Sequence, residues 1–135
     1  MRLLKTKRVI VVRKDLKMRK GKIAAQVSHA SKLTFLNMAT FDEQGFRVNY
    51  SSYGDHEEAF KNWIENIFTE IVVGVESEEE FDLIANKAKE KELPVFVVTD
   101  IGKTEFNGVP TKTVLSIGPA DETCFDGVTD GLKLI

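Results

Sequence analysis

Residues 9–30 read Val9-Ile10-Val11-Val12-Arg13-Lys14-Asp15-Leu16-Lys17-Met18-Arg19-Lys20-Gly21-Lys22-Ile23-Ala24-Ala25-Gln26-Val27-Ser28-His29-Ala30. The first four are β-branched with no polar residue between them, the pattern of a strand buried on both faces. Arg13–Lys20 is polar and basic and reads as a loop closed by Gly21. A helix is expected from about Gly21. Ile23, Val27, Ala30, Thr34, Met38 and Phe41 recur at helical spacing on one face, and Lys22, Gln26, His29 and Leu33 form a second stripe. Ala24, Ala25, Ser28, Ala30 and Ser31 are small enough to let another element approach closely.

The chain continues the alternation of strand and helix. Glu70–Val75 and Val95–Val98 read as buried strands, and Thr113–Ile117 as a fourth. Two further helices are expected between the first and third strands. One starts at Asp55, three residues before Glu58, and buries Phe60, Trp63, Ile64, Ile67 and Phe68. The other starts at Ser77, three residues before Glu80, and buries Phe81, Ile84, Ala85 and Ala88. Residues 42–54, rich in Gly, Asn and Ser, read as a distinctive excursion. Asp121–Phe125 reads as a short helix and Leu132–Ile135 as an extended tail. This order predicts an α/β fold: one domain over residues 1–135, with a mixed four-stranded sheet covered by helices on both faces.

The 135 residues fit one domain, and 42% hydrophobic with 30% charged residues is ordinary for a globular chain. One cysteine, Cys124, excludes an internal disulfide framework, and two histidines, His29 and His56, argue against a histidine-built metal centre. No apolar run approaches the ~20 residues of a membrane span, and Val9–Val12 is too short for a signal segment, so a cytoplasmic protein is expected. The net charge of −2 is unevenly spread: residues 1–32 sum to +10 and the remainder to −12. Such segregation fits a surface for a polyanion at one end of the fold, or simply a solvated basic loop.

No Walker, GxGxxG, HExxH or GxSxG pattern is present. Three features carry candidate chemistry. Lys22 stands in the first turn of a helix, where the dipole favours anions; it either holds an anion or oxyanion there or faces solvent. Asp100-Ile101-Gly102-Lys103-Thr104 follows a buried strand, at the carboxyl edge where α/β sheets place ligands, and is either a site or an Asp-Gly turn. Thr111-Lys112-Thr113 enters the last strand, where threonine is also common for packing reasons. His29 is more often a surface or packed histidine than a catalytic one.

Together these segments resemble the archaeal and eukaryotic type of peptidyl-tRNA hydrolase. The resemblance is carried by residues 11–18 and 21–30 above, by Thr99-Asp100-Ile101-Gly102-Lys103-Thr104, by Thr113-Val114-Leu115-Ser116-Ile117-Gly118-Pro119, and by Val128-Thr129-Asp130-Gly131-Leu132-Lys133-Leu134. It covers nearly the whole chain outside about residues 40–65. It implies hydrolysis of the ester joining a peptide to the terminal ribose of tRNA, with no metal or organic cofactor, in a homodimer. Lys22, Asp100, Thr104 and Thr113 fall on the family's functional positions. Arg13, Lys14, Lys17, Arg19, Lys20, Gln26 and His29 are the expected contacts to the tRNA that carries the peptide. Ile101 stands where the family has Ala, and Glu105 where Gln is frequent. The alternative reading is a non-catalytic RNA-binding or protein-interaction module on the same fold.

Overall fold

The computed structural model describes residues 5–103 and 105–135. Thr6–Arg13 forms β1, buried along almost its whole length, as the β-branched run requires. Lys20–Leu36 forms α1; Glu57–Glu65 forms α2; Glu70–Val75 forms β4; Glu78–Glu90 forms α3. Val95–Asp100 forms β5, Thr111–Asp121 forms β6, and Lys133–Leu134 forms β7. The main sheet has the order β5-β6-β1-β4-β7. β1 and β4 run parallel, while β6 is antiparallel to both β1 and β5. The four expected strands are all present, and the two-residue tail strand adds a fifth by pairing with Val73 and Gly74.

Alternation along β1 divides the core. Val9 and Val11 pack with Phe81, Ile84, Ala85 and Ala88 of α3. Ile10 and Val12 face the other way, onto Ile23, Val27 and Ala30 of α1. Helices thus cover both faces. Ser77 caps α3 as its spacing predicts, its hydroxyl accepting from Glu80 N–H at 3.0 Å, while the Glu80 carboxylate reaches back to Glu76 N–H at 3.0 Å.

The region 37–69 departs from the expectation. α1 stops at Leu36, so Phe41 is not on its face. Ala39–Asp42 (β2) and Gly45–Val48 (β3) form a separate hairpin within the excursion, with Phe41 69% exposed. Residues 50–56 then wind as 3-10 turns, which moves the start of α2 past Asp55 to His56, and no side chain caps it. The expected apolar face also ends early: Phe60 and Trp63 are buried, but α2 stops at Glu65 and leaves Ile67 and Phe68 outside, 82% and 57% exposed.

Arg8 is fully buried on the α1 face. Its guanidinium donates to Ser31 O, Ser31 Oγ and Thr34 Oγ1 of α1, pairs with Glu70, and lies 4.8 Å over the Trp63 ring. Burial pushes its pKa down to about 10. One cation therefore ties α1, α2 and β4 to β1.

Candidate functional site

Because β1, β4 and β5 run in one direction, their carboxyl ends share an edge of the sheet, and β6 begins there. Asp100 ends β5, with Thr111 opposite it. The ladder shifts register between Val98 and Thr99, beside the strand ends that carry Asp100 and Thr113. α1 starts at the same edge. Arg19, the residue before it, provides no side-chain cap and its first turn holds no acid, so free N–H groups and lysines concentrate positive potential there.

That potential meets one carboxylate. Lys22 Nζ lies 2.9 Å from Asp100 Oδ1, and both side chains are 14% exposed. Gln26, one turn further along α1, donates from Nε2 to the same oxygen at 3.5 Å. Gly102 N–H donates to Asp100 Oδ2 at 3.0 Å. The Thr113 hydroxyl donates to Gln26 Oε1, and Gln26 and Thr113 are both buried. The Lys22 hydrogen bond, helped by Gly102 N–H and by the charges of Lys22 and His29, outweighs burial and holds the Asp100 carboxyl below its ordinary pKa. The result is a fixed chain, Thr113 to Gln26 to Asp100, with Lys22 closing it and Phe106 5.9 Å beneath the ammonium.

Gly102 is required by this geometry. Its φ is +84°, and a Cβ there would stand 2.7 Å from both N and O of Val109. Gly108 N–H in turn donates to Gly102 O at 2.9 Å, so the loop after Asp100 folds back on itself.

The expected site residues separate into groups. Lys22, Gln26, Asp100 and Thr113 come together; Thr104 lies outside the described residues. Gln26 is interior, between Asp100 and Thr113, rather than on an outward RNA-facing surface. His29 is exposed on the same helical stripe. Arg13 is only 7% exposed: its guanidinium grips Asp15 through two hydrogen bonds, at 3.2 and 2.6 Å, and donates to Lys112 O. Lys14 is exposed and pairs with Glu76 at 3.3 Å. Arg19 is exposed and 3.4 Å from Glu105, which gives Glu105 a local partner. Lys17 and Lys20 are exposed and make no ion pair among the described residues. Phe106 and the Arg13–Asp15 clamp were not singled out by sequence; only the x-Arg-Lys-Asp order hints at the clamp. A hollow lined by Lys5, Lys7, Asn62, Asn66 and Phe68 sits at the opposite end of the strands. Among the described residues no group of three His, Cys, Asp or Glu gathers as a metal site would, and no helix is long and apolar enough to cross a membrane.

A buried Thr–Gln–Asp chain with a lysine on the carboxylate can hold a water by one oxygen and a developing negative charge by a nearby cation. A family model described as peptidyl-tRNA hydrolase PTH2 matches residues 6–135. Proteins named peptidyl-tRNA hydrolase are similar over 96% of this chain and 98% of their own length. That from Sulfurisphaera tokodaii is 40% identical, that from Saccharolobus solfataricus 37%, and that from Saccharolobus islandicus 36%.

Proposed function

The chain belongs to the PTH2 family of peptidyl-tRNA hydrolases, and from that premise we propose that Lys22, Gln26, Asp100 and Thr113 are the machinery that cleaves the ester of peptidyl-tRNA. The observation that carries this reading is the convergence of three hydrogen bonds on one carboxylate. A carboxylate offers about four lone-pair sites. Lys22 and Gln26 occupy Oδ1 and Gly102 N–H takes one site on Oδ2, which leaves Oδ2 to accept a proton from water.

The water oxygen attacks the ester carbonyl. Charge builds on the carbonyl oxygen, where Lys22 is the cation positioned to offset it. The bond to the ribose oxygen then breaks, and the proton taken from water ends on that oxygen. The products are tRNA with its hydroxyl restored and the peptide's carboxylic acid, which loses the second water proton to solvent and leaves as a carboxylate. Thr113 acts through Gln26: by occupying Oε1 it turns the amide so that Nε2 faces Asp100. Thr104, a position marked by the family resemblance, is proposed to serve the same reaction.

Lys14, Lys17, Arg19 and Lys20 line the approach to α1 and are proposed to hold tRNA phosphates, contacts that are independent of base sequence. The protein is proposed to act in the cytoplasm as a homodimer; exposed Ile67 and Phe68 offer adjacent apolar surface for a second copy. A sedimentation mass of 15.2 kDa would refute the dimer.

The test is release of the acyl group from an N-blocked aminoacyl-tRNA. Asp100→Asn keeps the shape and removes the charge, and is expected to lower turnover by roughly 10²–10⁴. An undiminished rate in the folded variant would remove Asp100 from the reaction.

A further inference from the structure

We propose that the outer edge of β5 binds the peptide part of the substrate as an added strand, through main-chain hydrogen bonds that do not depend on its sequence. The inference rests on the hydrolytic reading above and names where the peptide lies.

β5 is the outermost strand of the main sheet and pairs with β6 alone. Along a strand, the backbone groups of successive residues point to opposite sides. Pro94 O accepts from Gly118 N–H of β6 at 2.9 Å, and Val98 O lies 3.4 Å from the Thr113 hydroxyl of the same strand. Phe96 and Val98 therefore turn their N–H and C=O towards β6, whereas Val95, Val97 and Thr99 turn theirs outward. Among the described residues no other element takes up those outward groups. The margin is open as well. Val95, Phe96 and Val97 are only partly buried, and Thr99 is exposed. A hollow of about 420 Å³ at the start of β5 is lined by Val95 and Phe96, by Asn37 and Met38 after α1, and by Lys89 and Glu92 around the end of α3. α1 and α3 cover opposite faces, so a hollow that touches both runs past the margin of the sheet rather than across one face.

The same strand fixes the occupant. β5 ends at Asp100, whose carboxylate anchors the hydrogen-bond chain, so a segment paired along this edge is delivered to that carboxylate by one of its ends. In peptidyl-tRNA the ester closes the carboxyl end of the peptide. The added strand therefore runs parallel to β5, with its amino end towards Val95. From Val95 to Thr99 the backbone advances roughly 13 Å, the reach of about five extended residues. Alternating N–H and C=O groups suit a partner that both donates and accepts, as a peptide backbone does. A phosphate backbone only accepts. Strand addition reads the main chain, which all peptides share, and each hydrogen bond made this way contributes about two- to tenfold in affinity.

The experiment uses one tRNA body, so that the RNA contacts are constant, esterified with N-acetyl-alanine, with an N-acetylated chain of five alanines, or with five residues of mixed side chains. Both long esters are expected to exceed the short one in kcat/KM by about tenfold. Methylation of the amide nitrogens of alternate peptide residues removes that gain in one phase of the alternation and spares it in the other, because only alternate residues face β5. On the protein, Val97→Pro deletes an outward N–H and leaves the ladder to β6 intact. It is expected to abolish the gain while release of N-acetyl-alanine is unchanged. The methylated esters test the native protein and so decide the matter even if that variant fails to fold. Equal rates for short and long esters, a gain that depends on side chains, or a gain that neither phase of methylation removes overturns the strand site. So does a second copy paired on this edge, seen as a dimer that Val97→Pro converts to a monomer in sedimentation. Release of no ester at all by the native protein would instead overturn the hydrolytic reading, and this inference with it.

Discussion

Lys22 is unfavourable where it stands in the helix and favourable where it reaches. A cation in the first turn of α1 opposes the dipole, and Asp100, 2.9 Å away, offsets that cost. The same contact holds the Asp100 carboxyl below its usual pKa. If the carboxylate is the working form, activity persists into acid below the ordinary carboxylate range and is lost as pH falls through the depressed value. Lys22→Met removes the largest cause of the depression, so the acid limb of the residual pH–rate profile moves upward; an unmoved limb would mean that Asp100 does not control it. The expected loss in turnover is roughly 10²–10³ for a group that stabilises an oxyanion. Gln26 acts differently, because it touches Asp100 without charge. Gln26→Leu strands the buried Thr113 hydroxyl, which costs about 1–3 kcal/mol in stability by denaturant titration, together with at least a tenfold loss in rate. Equal stability in that variant would show that Thr113 finds another acceptor; Val98 O, at 3.4 Å, is the nearest. The helical stripe of Lys22, Gln26 and His29 was legible in the sequence because period fixes which residues share a face. Gln26 as the link between Asp100 and Thr113 was not, since that depends on where a strand 87 residues away begins.

Elements were readable where their signals were local. The Ser77–Glu80 spacing predicted a cap that the structure shows, and β1, β4, β5 and β6 fell where their β-branched residues lie, although only β1 and β6 are buried along most of their length: β4 is buried at Val73 and Val75, and β5, at the sheet edge, at Val98. The α2 region failed for a tertiary reason. Asp55 and Glu58 have cap spacing, but residues 50–56 are wound as 3-10 turns that carry buried Tyr53 to the Phe60 ring, 4.8 Å between centroids, and its hydroxyl to Gly118 O at 2.8 Å. That packing displaces the helix start to His56. The loop after β5 shows the converse, a single residue whose role sequence did suggest and whose reason only geometry supplies. Gly102→Ala places a methyl against backbone atoms of Val109 at φ +84°. The strain is expected to cost about 1–3 kcal/mol, and relaxation pulls the N–H away from Asp100 Oδ2. Loss of midpoint denaturant concentration and loss of turnover should therefore go together; a variant with full stability and lowered rate would instead place Gly102 against substrate.

At the scale of the whole molecule, charge arithmetic picked out a basic segment but overcounted the cations it leaves at the surface. Of the cations in residues 1–32, Arg8 and Arg13 are interior, occupied by Glu70 and Asp15. A buried guanidinium with an acidic partner is indistinguishable in sequence from one that faces solvent. The exposed cations beside the site are Lys14, Lys17, Arg19 and Lys20, and of these Lys14 is paired with Glu76 and Arg19 with Glu105. Replacement of Lys17, Arg19 and Lys20 by alanine separates RNA attraction from catalysis, because none of the three contacts Asp100, Gln26 or Thr113. Each lost phosphate contact lowers the slope of log affinity against log salt by about 0.7–0.9, so the triple variant should flatten it by roughly 2 to 3. KM should rise while kcat changes little, since these side chains hold ground state and transition state alike. Stability should be equal or slightly higher: the Arg19–Glu105 pair is exposed, Arg19 makes no side-chain cap, and removing cations from the start of α1 relieves their opposition to its dipole. A parental salt slope in a folded variant would move the tRNA surface away from residues 14–20, whereas a fall in kcat at saturating substrate would show that this loop also orders Lys22 at the helix start.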